Sequence, residues 1–335
     1  MNSNFETEYR AVRKSGAGLF DFPKRGLIEV SGGEAVQFLN GMLTNDIAKL
    51  PENSWMLAAF PNVQGRLLAF VRVLKIGDKF LFDTEAATRE KVFNNLFRFT
   101  FAGDFKVRDL SEEMNLLSIQ GKLAGEILES KVQSPKSKVE VGEAEFNGEK
   151  VFAIRSTHTA ADGFDLFATA NLIQDLTKEL ENAGAVKIGD ETREVLRIEA
   201  GIPLYGVDMD ETTIVLETGL DEAVSFTKGC YVGQEVIIRI HHRGHVAKKL
   251  AGLIFDEPAD VAPNSELKSP EGKNAGRITS VAFSPVLNKQ IALAYVRYDF
   301  LQPGTELLVN ENARAKVAQL PFASGSLSKN ERNGN

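Results

Sequence analysis

The feature that most constrains this chain is a repeat inside it. Leu27-Ile28-Glu29-Val30-Ser31-Gly32, followed by Ala35 and Phe38-Leu39, has a counterpart 89 positions on, where Leu116-Leu117-Ser118-Ile119-Gln120-Gly121 is followed by Ala124 and Ile127-Leu128. In both, apolar residues alternate as on a strand, a glycine follows, and the next apolar residues take helical spacing. A second echo sets Leu81-Phe82 and Thr84 against Leu166-Phe167 and Thr169. A period this long is too large for a solenoid and fits two copies of one α+β module.

The spacing predicts a β-α-β-β-α-β-like order for each copy. Helices are expected over 33–42 and 86–98 in the first, among strands near 27–31, 54–60, 66–75, 79–84 and 105–110. In the second they are expected over 122–130 and 171–183, among strands near 114–120, 149–156 and 164–169. Such runs of strands with few helices favour antiparallel sheets with helices on one face. Residues 190–202 read as a further amphipathic helix. Beyond residue 246, short β-rich runs alternate with Pro, Gly and Asn turns, the texture of a barrel or sandwich. The expected division is 1–112, 113–245, a β-barrel over 246–322, and a polar tail over 323–335.

Composition narrows the function classes. With 39 Lys and Arg against 46 Asp and Glu, the chain is acidic, which disfavours broad nucleic-acid binding. The single cysteine, Cys230, rules out an internal disulfide and any Cys-rich zinc or self-sufficient iron–sulfur site. The start, Met1-Asn2-Ser3-Asn4-Phe5-Glu6, lacks the basic and apolar regions of a signal peptide. The most apolar run, Leu67–Leu74, is short and broken by Arg72, so a cytoplasmic protein is expected.

Familiar signatures fail one by one. Gly16-Ala17-Gly18 lacks the third glycine of a dinucleotide loop, and no phosphate-binding GxxxxGK[ST], HExxH or GxSxG occurs. Asp208-Met209-Asp210 begins like a calcium loop, but Thr213 and Gly219 stand where the turn glycine and bidentate glutamate belong. What remains is Lys228-Gly229-Cys230-Tyr231-Val232-Gly233-Gln234-Glu235, a cysteine between glycines just before an apolar helical run. A thiol at a helix N-terminus beside Lys228 would be favoured as thiolate; the alternative is a buried structural cysteine in a tight turn. Next, Arg239, His241, His242, Arg243, His245, Lys248 and Lys249 crowd eleven residues. They suit either an anion contact or a solvated helix end, and no carboxylate pattern beside the histidines supports a metal.

The Lys228–Glu235 segment resembles the K-G-C-[YF]-x-G-Q-E signature of the YgfZ-type folate-binding proteins, relatives of the glycine-cleavage T-protein (aminomethyltransferase) superfamily. The resemblance runs over nearly the whole chain. Phe38-Leu39-Asn40-Gly41-Met42-Leu43-Thr44-Asn45-Asp46 is similar to F-L-x-x-x-x-T-N-D, and Asp162-Gly163-Phe164-Asp165-Leu166 to D-G-[FY]-E-[IL]. Arg197-Ile198-Glu199-Ala200-Gly201 with Leu204-Tyr205-Gly206 and Asp208 resembles R-x-E-x-G…L-Y-G-x-D, and the β-rich end carries Ala275–Ser280, Ser284-Pro285 and Ile291–Val296 in the family's order.

The resemblance implies two α+β modules and a C-terminal antiparallel β-barrel around a central cavity that holds tetrahydrofolate or a one-carbon derivative. It puts Asp165 where the superfamily has the glutamate that reads the pterin, and His158 where many relatives carry a stacking tyrosine. Arg197, Tyr205 and Gln234 fall among the implied cofactor-binding residues, and Cys230 and Lys228 are the implied catalytic pair. Arg197 equally suits a pair with Glu194 or Glu199, and Asp165 a turn cap.

One stretch departs from the superfamily. Gln64-Gly65-Arg66-Leu67-Leu68-Ala69-Phe70 stands where aminomethyltransferases resemble G-G-I-x-D-D, and neither Ala69 nor Phe70 can accept a proton. Aminomethyl transfer is therefore disfavoured. The expectation is a folate-binding accessory protein for assembly or repair of iron–sulfur enzymes, and thereby tRNA modification, that uses Cys230 and shares any cluster with a partner. The alternative is a folate-dependent one-carbon or aminomethyl transferase. Direct nucleic-acid binding and membrane association are not expected.

Overall fold

The structure is a computed structural model and describes residues 3–132, 140–310 and 313–323. The chain divides into two compact units. The first takes Met1–Thr157, Ala161–Gly189 and Glu222–Gln234; the second takes His158–Ala160, Asp190–Asp221 and Glu235–Asn335.

In the first unit, α1 (Ser3–Arg10) and β1 (Gly18–Phe22) precede the two copies of the repeat. The first copy runs β2 (Gly26–Ser31), α2 (Ala35–Met42), β3 (Ser54–Pro61), β4 (Leu67–Ile76), β5 (Lys79–Thr84), α3 (Arg89–Phe97) and β6 (Lys106–Asp109). The second runs β7 (Asn115–Gln120), α4 (Ala124–Glu129), β8 (Val141–Phe146), β9 (Glu149–Arg155), β10 (Gly163–Ala168), α5 (Ala170–Asn182) and β11 (Val186–Lys187). Element order is the same in both, with one strand more per copy than the β-α-β-β-α-β pattern.

The sheets repeat as well. The first is ordered β3-β4-β5-β2-β6 and the second β11-β1-β7-β10-β9-β8, so each second-copy strand takes its counterpart's place. The exception is β1, which lies between β7 and β11, antiparallel to the former and parallel to the latter. Residues 18–22 thus pair in the second copy's sheet although they lie within the 1–112 segment.

Period-two alternation decides what each strand face covers. Ile28, Val30, Val71, Val73, Phe80 and Phe82 join a core with Leu39 of α2 and Val92 and Leu96 of α3. Leu117, Ile119, Leu166 and Ala168 do the same with Ile127 of α4 and Leu172, Leu176 and Leu180 of α5. The intervening residues, Leu27, Leu74, Leu81, Leu116, Ile154 and Phe167, meet in a third cluster between the two sheets. The layers therefore run helix, sheet, sheet, helix.

In the second unit, α6 (Asp190–Glu199) and α7 (Gln234–Arg243, which starts on the first unit's last residue) precede six strands. These are β12 (Lys248–Phe255), β13 (Glu266–Lys268), β14 (Asn274–Ser284), β15 (Lys289–Arg297), β16 (Glu306–Val309) and β17 (Ala313–Ala318). They close as an antiparallel barrel in the order β12-β15-β14-β13-β16-β17, filled by Leu253, Phe255, Leu267, Ile278, Val296, Leu307 and Val309. Of the expected tail, residues 324–335 lie outside the described residues.

Candidate functional site

Two of the sequence motifs, almost 190 residues apart, build one place in the first unit. Residues 222–234 lie along the turn that follows α2. The Ser225 N–H donates to the Thr44 carbonyl (2.9 Å) and the Val232 N–H to the Gly41 carbonyl (3.1 Å). The Thr44 hydroxyl donates to the Ala223 carbonyl (2.6 Å), and Asn45 Nδ2 donates to the Glu222 carbonyl (2.9 Å). Lys228 drives Nζ into the same turn, donating to the carbonyls of Asn40 (2.9 Å), Leu43 (2.9 Å) and Asn45 (2.7 Å). The Asn40 carbonyl is among those that a helix C-terminus leaves without an intrahelical donor, where a cation is favoured.

Burial of Lys228 pushes its ammonium down to about 8, against an opposing pull from Asp46. Its Nζ lies 5.1 Å from the Tyr231 ring centre. The Tyr231 hydroxyl is buried without a hydrogen-bond partner among the described residues, and burial pushes that phenol up to about 12. Gly233 seats the far end of the loop. At its φ of +77° an added Cβ would collide with the Asn62 carbonyl oxygen, in the turn joining β3 and β4. Gln234 donates through Nε2 to the Gly229 carbonyl (3.2 Å), closing the loop across Cys230.

Cys230 is exposed at the crown of this loop, which sets aside the buried structural reading. It also lies four residues ahead of α7, not in its first turn. All three donors of the Lys228 ammonium go to carbonyls, so none remains for the thiol. Lys228 accordingly holds the loop.

Asp165 is built in the opposite sense. On β4, β5 and β10 the face that carries Leu74, Leu81 and Phe167 also carries Arg72, Asp83 and Asp165, which puts charge in the layer between the sheets. Arg72 Nη1 meets Asp165 Oδ2 at 2.7 Å and donates to the Ser156 hydroxyl at 2.6 Å. Arg72 also meets Asp83 Oδ2 through Nε (3.0 Å) and Nη2 (2.7 Å). Arg25 approaches Asp83 from the start of β2, with Nε 2.5 Å from Oδ1 and Nη2 3.0 Å from Oδ2. Burial opposes the charged Asp83 carboxylate, but Arg25 and Arg72 outweigh it and hold the group below the ordinary carboxylate range. The Asp83 and Asp165 side chains have no exposed surface, while Arg72 retains 7 %.

The other expected cofactor residues belong to the second unit. Arg197 on α6 engages all five of its N–H donors: Nε and Nη2 on Glu194, Nη1 on Asp208 (2.7 Å) and the Ile202 carbonyl (2.6 Å), and Nη2 also on Ser280 Oγ (2.9 Å). Asp208 in turn accepts from Thr279 (2.5 Å) and Ser280 (2.7 Å), so this network ties α6 and the following loop to the barrel. Tyr205 is buried and bridges to Met209, and His158 is half-buried in the β9–β10 connection. Ala69 is fully buried in the first sheet's core and Phe70 nearly so, leaving no acid at those positions.

The basic cluster at the end of α7 is largely neutralised. Arg239 pairs with Glu235 and Lys249 with Asp221, and His245 stacks on Tyr298 with ring centres 3.9 Å apart. That arrangement is a solvated helix end.

Comparison with known proteins agrees with this architecture. Residues 1–228 match the GCVT N-terminal domain, and residues 248–323 match the glycine cleavage T-protein C-terminal barrel domain. The chain is 34 % identical to the aminomethyltransferase of Rubrobacter xylanophilus over 325 residues, covering 96 % of this chain and 86 % of that protein. It is 32 % identical to the aminomethyltransferase of Thermotoga neapolitana over 342 residues, covering 97 % and 91 %. The crystal structure of the glycine cleavage system aminomethyltransferase T from Bartonella henselae superposes with a TM-score of 0.85 at 25 % identity, over 95 % of this chain and 89 % of that one. The chain belongs to the glycine-cleavage T-protein family. No helix among the described residues is long and apolar enough to cross a membrane.

The fit of a folate can be judged from the donor set. A pterin presents an N–H edge, and a carboxylate such as Asp165 is the group that matches it. In this arrangement Arg72 supplies that carboxylate's charged partner, so the pterin edge and the guanidinium offer the same kind of contact. The chemistry fits a pterin once Arg72 yields its place. Arg25, Arg72 and Asp83 were missed as a site by sequence reasoning, and Arg72 was visible only as the charge that breaks an apolar strand.

Proposed function

We propose that this protein binds tetrahydrofolate and handles a one-carbon unit carried on it, in the manner of the aminomethyltransferases it is most broadly related to. The observation that carries this reading is the Asp165 carboxylate, buried on β10 in a chain whose residues 1–228 and 248–323 match the two domains of the glycine-cleavage T-protein. Asp165 would accept from the pterin edge. Arg197 would fix Asp208 and the loop after α6 within the second unit. When bound, the folate supplies the carrier for the one-carbon unit. Calorimetric titration of tetrahydrofolate into the wild type and Asp165→Ala tests the reading: binding that is lost in the variant supports it, and a wild type that does not bind overturns it.

A second, finer reading is favoured by the exposed Cys230 on its anchored loop together with Ala69 and Phe70 in place of the family's acids. In that reading the chain is a YgfZ-type protein that supports assembly or repair of iron–sulfur enzymes, with effects on tRNA modification through those enzymes. One cysteine cannot hold a cluster alone, so the thiol would act jointly with a partner protein or small thiol. Cys230→Ser should then abolish support of an iron–sulfur enzyme in cells lacking the wild-type protein, while leaving tetrahydrofolate binding intact. Turnover of methylene-tetrahydrofolate by the purified chain alone selects the transferase reading instead.

A further inference from the structure

We infer that Lys228 is the positioning residue for Cys230: by donating to three converging carbonyls it latches residues 222–234 onto the turn after α2, and so sets where the thiol stands. The inference rests on the thiol reading only for its consequence; the latch itself is a property of the loop.

Main-chain bonds fix the loop near its two ends, at Ser225–Thr44 and Val232–Gly41. Between those points lie Phe226, Thr227, Lys228, Gly229, Cys230 and Tyr231, two positions of which are the cysteine and a flexible glycine. The group that reaches from this span into the turn is the Lys228 ammonium, with contacts of 2.7–2.9 Å. An ammonium has three donors and no acceptor, and here the three meet three oxygens. Removing them would leave three carbonyls in a half-buried turn without that donor, which favours opening of the span that bears Cys230. Gln234 bonds back to Gly229 but does not reach the turn, so it shapes the loop without securing it.

The charged and titratable groups around Nζ are few. Asp46 follows Asn45 and is itself paired with Lys49 at 3.1 Å, and the Tyr231 phenol is neutral until about 12. Cys230 itself is two residues away. Burial favours release of the Lys228 proton, but release would leave two donors for three carbonyls and set a lone pair against one of them, so the latch is that of the ammonium.

The experiment uses the full chain as wild type and as Lys228→Met. Hydrogen exchange of the 222–234 segment, corrected for intrinsic exchange, reports closure, and iodoacetamide labelling at pH 7 reports the sole cysteine. The expected result is roughly tenfold or greater loss of protection in the segment of Lys228→Met, with a changed Cys230 labelling rate and unchanged exchange in β2–β5. Equal segment protection in both proteins overturns the latch. Should Lys228→Met not fold, Lys228→Gln takes its place, and segment protection in that variant equal to the wild type refutes the inference. Tetrahydrofolate titration of the same samples separates this outcome from failure of the proposed function, since neither readout requires folate or turnover.

Discussion

The Cys230 loop and the Asp165 layer use polar groups in opposite directions. In the loop, side chains of the framework and the segment itself reach for main-chain atoms, and the one reactive group is left facing solvent. In the layer, side chains reach for one another, and the conspicuous carboxylate ends with no exposed surface. Both regions bear motifs that a sequence search would single out. What separates them is the geometry of their strands and turns: a face-to-face sheet pair seals what it encloses, while a loop laid on a turn keeps its crown open. A motif residue in the first setting needs something to move before it meets a ligand, and one in the second does not.

The largest effect should come from emptying the centre of the sealed region. Asp83→Ala leaves Arg25 and Arg72 facing each other with one carboxylate fewer between the sheets. Breaking a buried pair from one side costs about 3–5 kcal/mol, so denaturant unfolding should show a loss of that order. The same carboxylate predicts an acid limit. Because Asp83 titrates below its ordinary value when folded, its contribution is present above about 3.8 and is lost as pH falls below that. Acid unfolding of Asp83→Asn should start from lower stability and depend less on pH in that window. A variant as stable as the wild type would mean that the layer is held by Leu27, Leu74, Leu81, Leu116 and Phe167 alone.

A smaller effect should follow from loosening the open region. Thr44 is fully buried; its hydroxyl accepts from the Ala59 N–H (2.8 Å) and donates to the Ala223 carbonyl (2.6 Å), joining β3 to the Cys230 loop. Thr44→Val keeps the shape and leaves both groups unsatisfied, at about 1–3 kcal/mol for each. Hydrogen exchange in the 222–234 segment should accelerate more than global stability falls, since the loop carries one of the two lost bonds. Equal effects on both would show that the loop opens only when the whole unit does.

Much of this was legible in the sequence, for local reasons. The repeat could be read because strand alternation and a glycine turn recur in both copies, and it returned as two sheets of matching order. The place of β1 could not, because Leu19 and Phe20 say strand, while their partners on β7 lie about a hundred residues on. Cys230 stood out as the sole cysteine. Its anchoring did not, because the acceptors of Lys228 are main-chain carbonyls, which every residue has and no residue type announces. Asp165 was marked by its motif, and its sealing by Arg72 needed three strands from two sheets to be in place.

That sealing gives the finest test of the comparison. If Arg72 occupies the carboxylate in place of a pterin, the two compete, and Arg72→Gln should bind tetrahydrofolate more tightly even as the folded state loses stability. A gain of about tenfold, equivalent to ~1.4 kcal/mol, is the scale at which calorimetry separates competition from indifference. Weaker binding would reverse the assignment, because Arg72 would then orient Asp165 for the ligand, with Asp83 and Arg25 as its support. The sign alone decides whether the guanidinium bars the site or builds it. If it bars the site, Trp55, whose ring lies 5.7 Å from the Arg72 guanidinium carbon, should change its fluorescence as folate binds, because Arg72 would then leave Asp165 and shift against that ring.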